Sequence, residues 1–318
     1  MNRTDLVKKG FWRVEKLNLK NREYAKWVRI FTSDVLRQDL GSRGDVTTQS
    51  LFGRKTRPFR SVIRSGGEGL IAGIEEAMWF YGKHGIRARP RKKDGESVKK
   101  GEAIIELSGP GKLLMETERT GLKILQRMSG IATATRRLVE KTRKEKVFIA
   151  ATRKTHWQLL DKKAVCLGGG LAHRLGLSES IMIKDNHLER LKESGHRKDY
   201  IEEALKRAWK DKGKSLFIEI EVESRGEALR AAREFRRLQS KPGTFPCVIM
   251  LDNMAPRGIK ETVRELKAKD LYRYVLLEAS GRINDDNIGE YAKTGVDIIS
   301  IGSITHSPDI LDMDQAII

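Results

Sequence analysis

Three kinds of side chain recur where apolar runs of this chain stop: cationic groups, carboxylates, and small hydroxyl or glycine residues. Thr152-Arg153-Lys154 follows one run and Lys184-Asp185-Asn186-His187 a second; Glu219, Glu221 and Glu223 punctuate a third. Asp252-Asn253 closes a fourth, Ser280-Gly281 a fifth, and Gly302-Ser303 a sixth, with His306 close behind. Arg153, Lys154, His173, Arg174 and Lys184 make a cationic set suited to a substrate with several carboxylates or phosphates, because guanidinium forks bind such groups bidentately. Asp252 and the glutamates of the third run, Glu221 among them, supply hard oxygens of the kind that hold Mg²⁺ together with substrate phosphates. Ser280, Gly281 and Gly302 offer backbone N–H groups that cradle a monophosphate where a helix begins. No nucleophile stands beside a base, since Cys166 and Cys247 lie in apolar contexts and no G-x-S-x-G occurs. The set is built for electrostatic chemistry.

The elements that position these groups follow from periodicity. From residue 147 onward a short β-branched or apolar run alternates with an amphipathic stretch of helix length. Strands are expected over 147–151, 181–183, 216–222, 247–251, 274–279 and 296–301. Helices are expected over 200–210, 226–238, 258–268 and 284–292, with apolar residues at three- and four-residue spacing, as in Ile201, Leu205, Ala208 and Trp209. A parallel sheet rolled into an α/β barrel packs such units, although an open doubly wound sheet reads almost the same way. In a barrel the C-terminal strand ends form the rim where the polar groups converge. The earlier chain reads as an antiparallel α+β region, with strands over 61–64, 69–72 and 103–107 and one long helix over 115–144.

Composition bounds the alternatives. The chain has 318 residues, 39% of them apolar, and 63 Lys and Arg against 43 Asp and Glu, a net charge of +20. That is a folded basic protein of about two domains. The two cysteines form no metal or disulfide pattern, which fits a reducing, cytoplasmic setting. No apolar stretch is long enough to span a membrane. The basic runs 87–93 and 141–146 lack interleaved aromatic residues, so they read as solvated faces and not as a nucleic-acid surface. Gly67-Glu68-Gly69-Leu70-Ile71-Ala72 matches a dinucleotide fingerprint, but 87–93 does not read as the second strand that the motif needs.

Several segments in order carry a more specific signal. Ala151-Thr152-Arg153-Lys154-Thr155, Gly168-Gly169-Gly170-Leu171-Ala172-His173-Arg174-Leu175-Gly176-Leu177, Ile183-Lys184-Asp185-Asn186-His187, Leu251-Asp252-Asn253 and Glu278-Ala279-Ser280-Gly281 resemble the successive signatures of the quinolinate phosphoribosyltransferase family. Upstream, Asp39-Leu40-Gly41-Ser42-Arg43-Gly44-Asp45, Glu118-Arg119-Thr120 and Ser129-Gly130-Ile131-Ala132-Thr133 extend the resemblance, which covers about residues 20 to 312. Arg282 stands where a second glycine commonly follows Ser-Gly. Ala172 stands for Asn, Lys123 for Asn, and His156-Trp157 for a Thr-Pro pair.

The resemblance implies an N-terminal α/β sandwich, residues 1–125 with 304–318 returning to it, packed on an incomplete α/β barrel, residues 126–303, in the type II phosphoribosyltransferase manner. It implies transfer of the phosphoribosyl group of phosphoribosyl pyrophosphate (PRPP) to quinolinate with Mg²⁺, releasing pyrophosphate and CO₂ and yielding nicotinate mononucleotide for NAD biosynthesis. By resemblance, Thr152, Arg153, His173 and Arg174 would hold quinolinate, and Arg119 would reach the same pocket from the partner in a homodimer. Lys154 and Lys184 would bind pyrophosphate, Glu221 and Asp252 the magnesium and ribose end, and Ser280, Gly281, Gly302 and His306 the 5′-phosphate. Two relatives on the same fold stand as alternatives, nicotinate phosphoribosyltransferase and a molybdate-operon pyrophosphorylase-like protein. A basic nucleic-acid binder is the alternative of a different class. The crowded cations favour a dicarboxylate, and Glu221 and Asp252 would repel nucleic-acid phosphates.

Overall fold

A computed structural model of the protein describes residues 1–53, 57–239 and 241–318. The chain divides into two compact units, one made of Met1–Arg13, Arg137–Lys154 and Gly170–Ser303, the other of Val14–Arg136, Thr155–Gly169 and Ile304–Ile318. They interleave along the sequence, the chain passing between them at Arg13/Val14, Arg136/Arg137, Lys154/Thr155, Gly169/Gly170 and Ser303/Ile304.

In chain order the strands are β1 (Phe59–Ser65), β2 (Gly69–Leu70), β3 (Arg87–Pro90), β4 (Ser97–Val98), β5 (Ala103–Gly109), β6 (Phe148–Ala150), β7 (Ile181–Ile183), β8 (Ile218–Val222), β9 (Cys247–Asp252), β10 (Leu276–Ser280), β11 (Ile298–Ser300) and β12 (Met313–Ile317). Strands β6 to β11 form one parallel sheet in the order β6-β11-β10-β9-β8-β7. Every neighbour is consecutive in sequence except one, and there the first strand pairs with the last. That wrap is the connectivity of a barrel; a doubly wound sheet would reverse its order instead. The pair β6 and β7 stays open, and Leu171 bridges to Ala150 along that side of β6. The barrel is therefore incomplete.

Registers assign the residues to faces. Glu219, Glu221, Val248, Met250, Asp252, Leu276, Glu278, Ser280, Ile298 and Ser300 follow the alternation of their strands, with neighbours such as Asp252 and Ser280 or Met250 and Glu278 side by side. At the strand starts the barrel is closed by apolar packing. The helix Arg3–Phe11 places Leu6, Val7 and Phe11 against Phe217, Val248, Leu276 and Ile298. At the strand ends the same face turns polar, which puts the functional groups opposite the plug.

The other unit carries an antiparallel sheet in the order β12-β1-β5-β3. Its core includes Ile63, Phe80, Tyr81, Ile104, Ile105, Leu125 and Met313, gathered around the helix Ile74–Lys83 and the long helix Gly111–Lys141. Here β3 corrects the sequence reading. Arg87–Pro90 is a strand after all, at the sheet edge, where charged residues and a proline with no N–H to donate discourage further pairing. The dinucleotide fingerprint nonetheless fails for a local reason. Gly69 lies in β2, and a Cβ there would stand 2.6 Å from Thr133 Oγ1 of the long helix. The following helix begins only at Ile74, whose N–H already donates to Asp94 Oδ1 at 2.9 Å. An acidic side chain occupies the place a phosphate would take.

Candidate functional site

The C-terminal ends of the barrel strands surround a cavity of about 400 Å³ lined by Thr152, Arg153, Lys154, His173, Arg174, Lys184, Glu221, Asp252, Glu278 and Ser280, with Met182, Met250 and Ser300. Nine of the thirteen site residues expected from sequence meet here. Gly281 directly follows the end of β10 at Ser280, and Gly302 lies two residues past the end of β11 at Ser300, in the same unit. Arg119 and His306 belong to the other unit, Arg119 exposed on Gly111–Lys141 and His306 exposed at the end of the short helix Ser303–His306.

Each side chain is set by local backbone chemistry. After β6 the chain turns where Thr152 Oγ1 accepts the Lys154 N–H at 3.1 Å, leaving Arg153 and Lys154 exposed at the rim. Lys184, just past β7, caps the helix Asp185–Glu193: its own N–H donates to Nδ1 of His187 at 2.9 Å. Asp185, Asn186 and His187 are thus the first turn of an outer helix, and none of them lines the cavity. Lys184 Nζ reaches across to Glu221 Oε2 at 2.8 Å. Arg174 is buried, its Nη1 donating to Ser180 O at 3.1 Å and its Nη2 approaching Met182 Sδ at 3.3 Å. Burial first, and then the nearby Arg153, lower the proton affinity of Arg174, a sign of cations crowded into one place; Glu219 acts in the opposite sense.

His173 sits below the rim. Its backbone is left-handed, φ 58, and its Nδ1 accepts the Arg174 N–H at 2.8 Å. Nε2 faces Glu219 Oε2 at 3.4 Å and Glu278 Oε2 at 3.3 Å, and both glutamates are fully buried. Burial opposes a charged imidazole, but Glu278 and Glu219 outweigh it and raise the pKa of His173. Burial, and then Glu278, raise that of Glu219. With Nδ1 occupied as an acceptor, the ring proton lies at Nε2 and any further proton is shared with the carboxylates. Glu278 was not among the expected site residues; its signal in the sequence is a lone charge inside the apolar strand Leu276–Ser280.

The phosphate loop differs in one respect from expectation. No helix begins at Gly281, because 284–287 form side-chain-closed turns in which Asn284 Oδ1 accepts the Asp286 N–H and Asn287 Oδ1 accepts the Asn284 N–H, and the helix runs only over Ile288–Ala292. A helix start remains only after Gly302, at Ser303. Arg282 has φ 53 and Gly281 φ 94, so Arg282 holds a conformation that glycine adopts without strain. Glu221 and Asp252, on neighbouring strands and both lining the cavity, are the carboxylates there that could hold a divalent cation. Their oxygens are hard, and Lys184 already neutralises one of them, which fits Mg²⁺ shared with a polyanionic substrate.

Comparison with known proteins gives the same family as the motifs. Residues 131–315 match the family described as quinolinate phosphoribosyl transferase, C-terminal domain, and residues 45–129 match its N-terminal domain. A probable nicotinate-nucleotide pyrophosphorylase (carboxylating) of Archaeoglobus fulgidus is 39% identical over 280 residues, covering 86% of this chain and 98% of that one. Its counterpart in Methanothermobacter thermautotrophicus is 37% identical over 288 residues, covering 89% and 96%. Among solved structures, the nicotinate-nucleotide pyrophosphorylase of Ehrlichia chaffeensis is 31% identical with a TM-score of 0.76, over 91% of this chain and 98% of that one.

Proposed function

Because the chain belongs to the quinolinate phosphoribosyl transferase family, we infer that it joins quinolinate to PRPP and releases pyrophosphate and CO₂, giving nicotinate mononucleotide for NAD biosynthesis. The observation that carries this reading is the convergence of Arg153, Lys154, Arg174 and Lys184 with Glu221 and Asp252 on one barrel rim. Both substrates are polyanions, and two guanidinium groups, Arg153 and Arg174, match a ligand with two carboxylates.

The residues divide the work by charge. Arg153, Arg174 and Thr152 hold the two carboxylates and aim the pyridine nitrogen at the ribose carbon, so that attack is a matter of proximity. Lys154 and Lys184 stabilise the charge that builds as the carbon–oxygen bond to pyrophosphate breaks and its electron pair leaves with pyrophosphate. Glu221 and Asp252 would hold Mg²⁺, which when bound supplies charge neutralisation of the pyrophosphate. Once the ring nitrogen is quaternary, the electrons of the broken carbon–carboxylate bond remain on the adjacent ring carbon, stabilised by the positive nitrogen, and solvent protonates that carbon. Ser280, Gly281, Gly302 and His306 are proposed for the 5′-phosphate.

Two finer proposals accompany this reading. Arg119 is proposed to serve the pocket of a second copy in a homodimer, supported by the resemblance and by its exposure on Gly111–Lys141. Mixing inactive Arg119→Ala and Lys184→Ala proteins under exchange should restore activity; verified heterodimers without any rescue would count against a shared site. A cytoplasmic location is proposed from the two buried free cysteines, and among the described residues no helix is long and apolar enough to cross a membrane. The primary test is formation of CO₂ and nicotinate mononucleotide from quinolinate, PRPP and Mg²⁺, with nicotinate as the parallel substrate. Product from quinolinate alone is expected; product from nicotinate alone would move the function to the non-decarboxylating relative.

A further inference from the structure

Beneath the cationic rim lies a charge cluster that the proposed chemistry leaves without a task. Glu219 and Glu278 have no exposed surface, and among the described residues neither their carboxylate oxygens nor His173 Nε2 has a hydrogen-bond partner; one oxygen of each glutamate faces Nε2 at ion-pair range, 3.4 and 3.3 Å. Burying two carboxylates against one imidazole carries a desolvation cost that an apolar filling of the same volume avoids. The rest of the ring is also enclosed. Phe11 meets it edge-on at 4.7 Å and Phe217 at 5.3 Å.

The three ligand-type atoms lie within 4.8 Å of one another, a spacing that a metal ion could bridge. The other ring nitrogen argues otherwise. Because Nδ1 accepts the Arg174 N–H at 2.8 Å, the proton of the imidazole sits on Nε2, and a protonated nitrogen cannot ligate. The cluster is an electrostatic grip on the Nε2 side of the ring.

What the grip controls is the next residue. The left-handed φ of 58 at His173 turns the chain, the ring's own Nδ1 holds the peptide N–H of Arg174, and the Arg174 guanidinium then reaches the cavity past Ser180 O and Met182 Sδ. Rotating the imidazole would break the contacts at both nitrogens at once. We propose that Glu219 and Glu278 are positioning residues: by facing their charge to Nε2 of His173 they fix the turn that presents Arg174 to a substrate carboxylate, and that charge lies beneath Arg153 and Arg174 as a built-in counter-ion. The opposing action of Glu219 on the crowded Arg174 agrees with that second part. The proposal rests on the quinolinate reading for the identity of the carboxylate, not for the grip itself.

The test uses the full-length protein with Glu278→Gln, Glu219→Gln and, as the conservative variant, Glu278→Asp. Either glutamine should raise KM for quinolinate about tenfold while KM for PRPP stays within about twofold, and the aspartate should restore most of the loss. An unchanged KM for quinolinate, or equal rises in both KM values together with a lower Tm, would overturn a positioning role. A second readout needs no substrate. In protein labelled with ¹⁵N-histidine, the signal that disappears in His173→Gln should report an Nε2–H tautomer protected from exchange, and it should shift in both glutamine variants. An Nδ1–H tautomer, or a stoichiometric metal ion by elemental analysis, would overturn the grip. A protein with the expected imidazole signal that does not turn over quinolinate would overturn the substrate reading alone.

Discussion

Lys184 and Glu221 close an ion pair across neighbouring strands, Nζ to Oε2 at 2.8 Å, at the rim where β7 and β8 end. Each satisfies the other. The two would be drawn apart by the same substrate, since pyrophosphate oxygens compete for the ammonium while a cation accompanying them competes for the carboxylate. The pair is half-exposed on the lysine side, so separating it costs little.

Lys184→Ala is therefore expected to lower kcat by about 10² to 10³ through loss of charge stabilisation on departing pyrophosphate, with Tm nearly unchanged. Steady-state kinetics beside a thermal melt will read both. Near-normal turnover in a folded variant would remove Lys184 from the mechanism.

Gly281 makes a second prediction from backbone geometry. Its φ is 94, and a Cβ would strike the Asn253 side chain and come 2.8 Å from the Asn253 backbone nitrogen. Asn253 itself is held by a hydrogen bond from its N–H to Ser280 O at 2.9 Å, and its φ of 53 is also left-handed. Gly281→Ala must displace the loop, so KM for PRPP should rise about tenfold or more. An alanine variant with wild-type KM for PRPP would detach this loop from phosphate binding.

A third prediction concerns pH and stability. Arg230 grips Glu202 bidentately, Nε to Oε1 at 2.9 Å and Nη2 to Oε2 at 2.5 Å, and this hydrogen bonding holds the carboxyl below its ordinary range. A pKa lowered by folding adds stability above the unfolded value, about 4.3 for glutamate, and that stability is lost as pH falls through the folded value. Both side chains are about a third exposed, so screening limits the effect to under about 1 kcal/mol. Glu202→Gln should lower Tm by about 1 to 2 °C at pH 7, with the deficit vanishing in acid below about pH 4. A deficit that persists there would assign the loss to packing.

The legible parts of this chain were those in which one side chain answers to its neighbours in sequence. The strands β6 to β11 stand within a residue or two of the apolar runs that announced them, because a strand buried on both faces needs β-branched and apolar residues throughout. Their polar ends announced the rim. β3 was illegible because Arg87-Ala88-Arg89-Pro90 shows no apolar alternation; its pairing comes from β5 alone. The helix expected over 284–292 lost its first turn to Asn284 and Asn287, whose side chains compete for the backbone N–H groups. Glu278 was passed over for a different reason: its partner His173 comes from a distant loop, and no spacing encodes that meeting.

The helix Arg3–Phe11 supplies the last prediction, because its sequence advertises Lys8 and Lys9 while its buried face does the structural work. Phe11 is fully buried and stacks on Phe217 at 4.5 Å with ring planes 8° apart, closing the start of the barrel strands. Removing the ring leaves a cavity against Val248, Leu276 and Ile298 that rigid strands cannot collapse, so Phe11→Ala should destabilise by about 3 to 5 kcal/mol. The same ring walls the imidazole of His173 at 4.7 Å. Phe11→Leu, which refills much of the volume without the edge contact, should recover most of the stability yet still raise KM for quinolinate severalfold. Denaturant melts and kinetics on the two variants separate the roles: if leucine restores both together, Phe11 is a plug for the barrel and not a wall for the histidine.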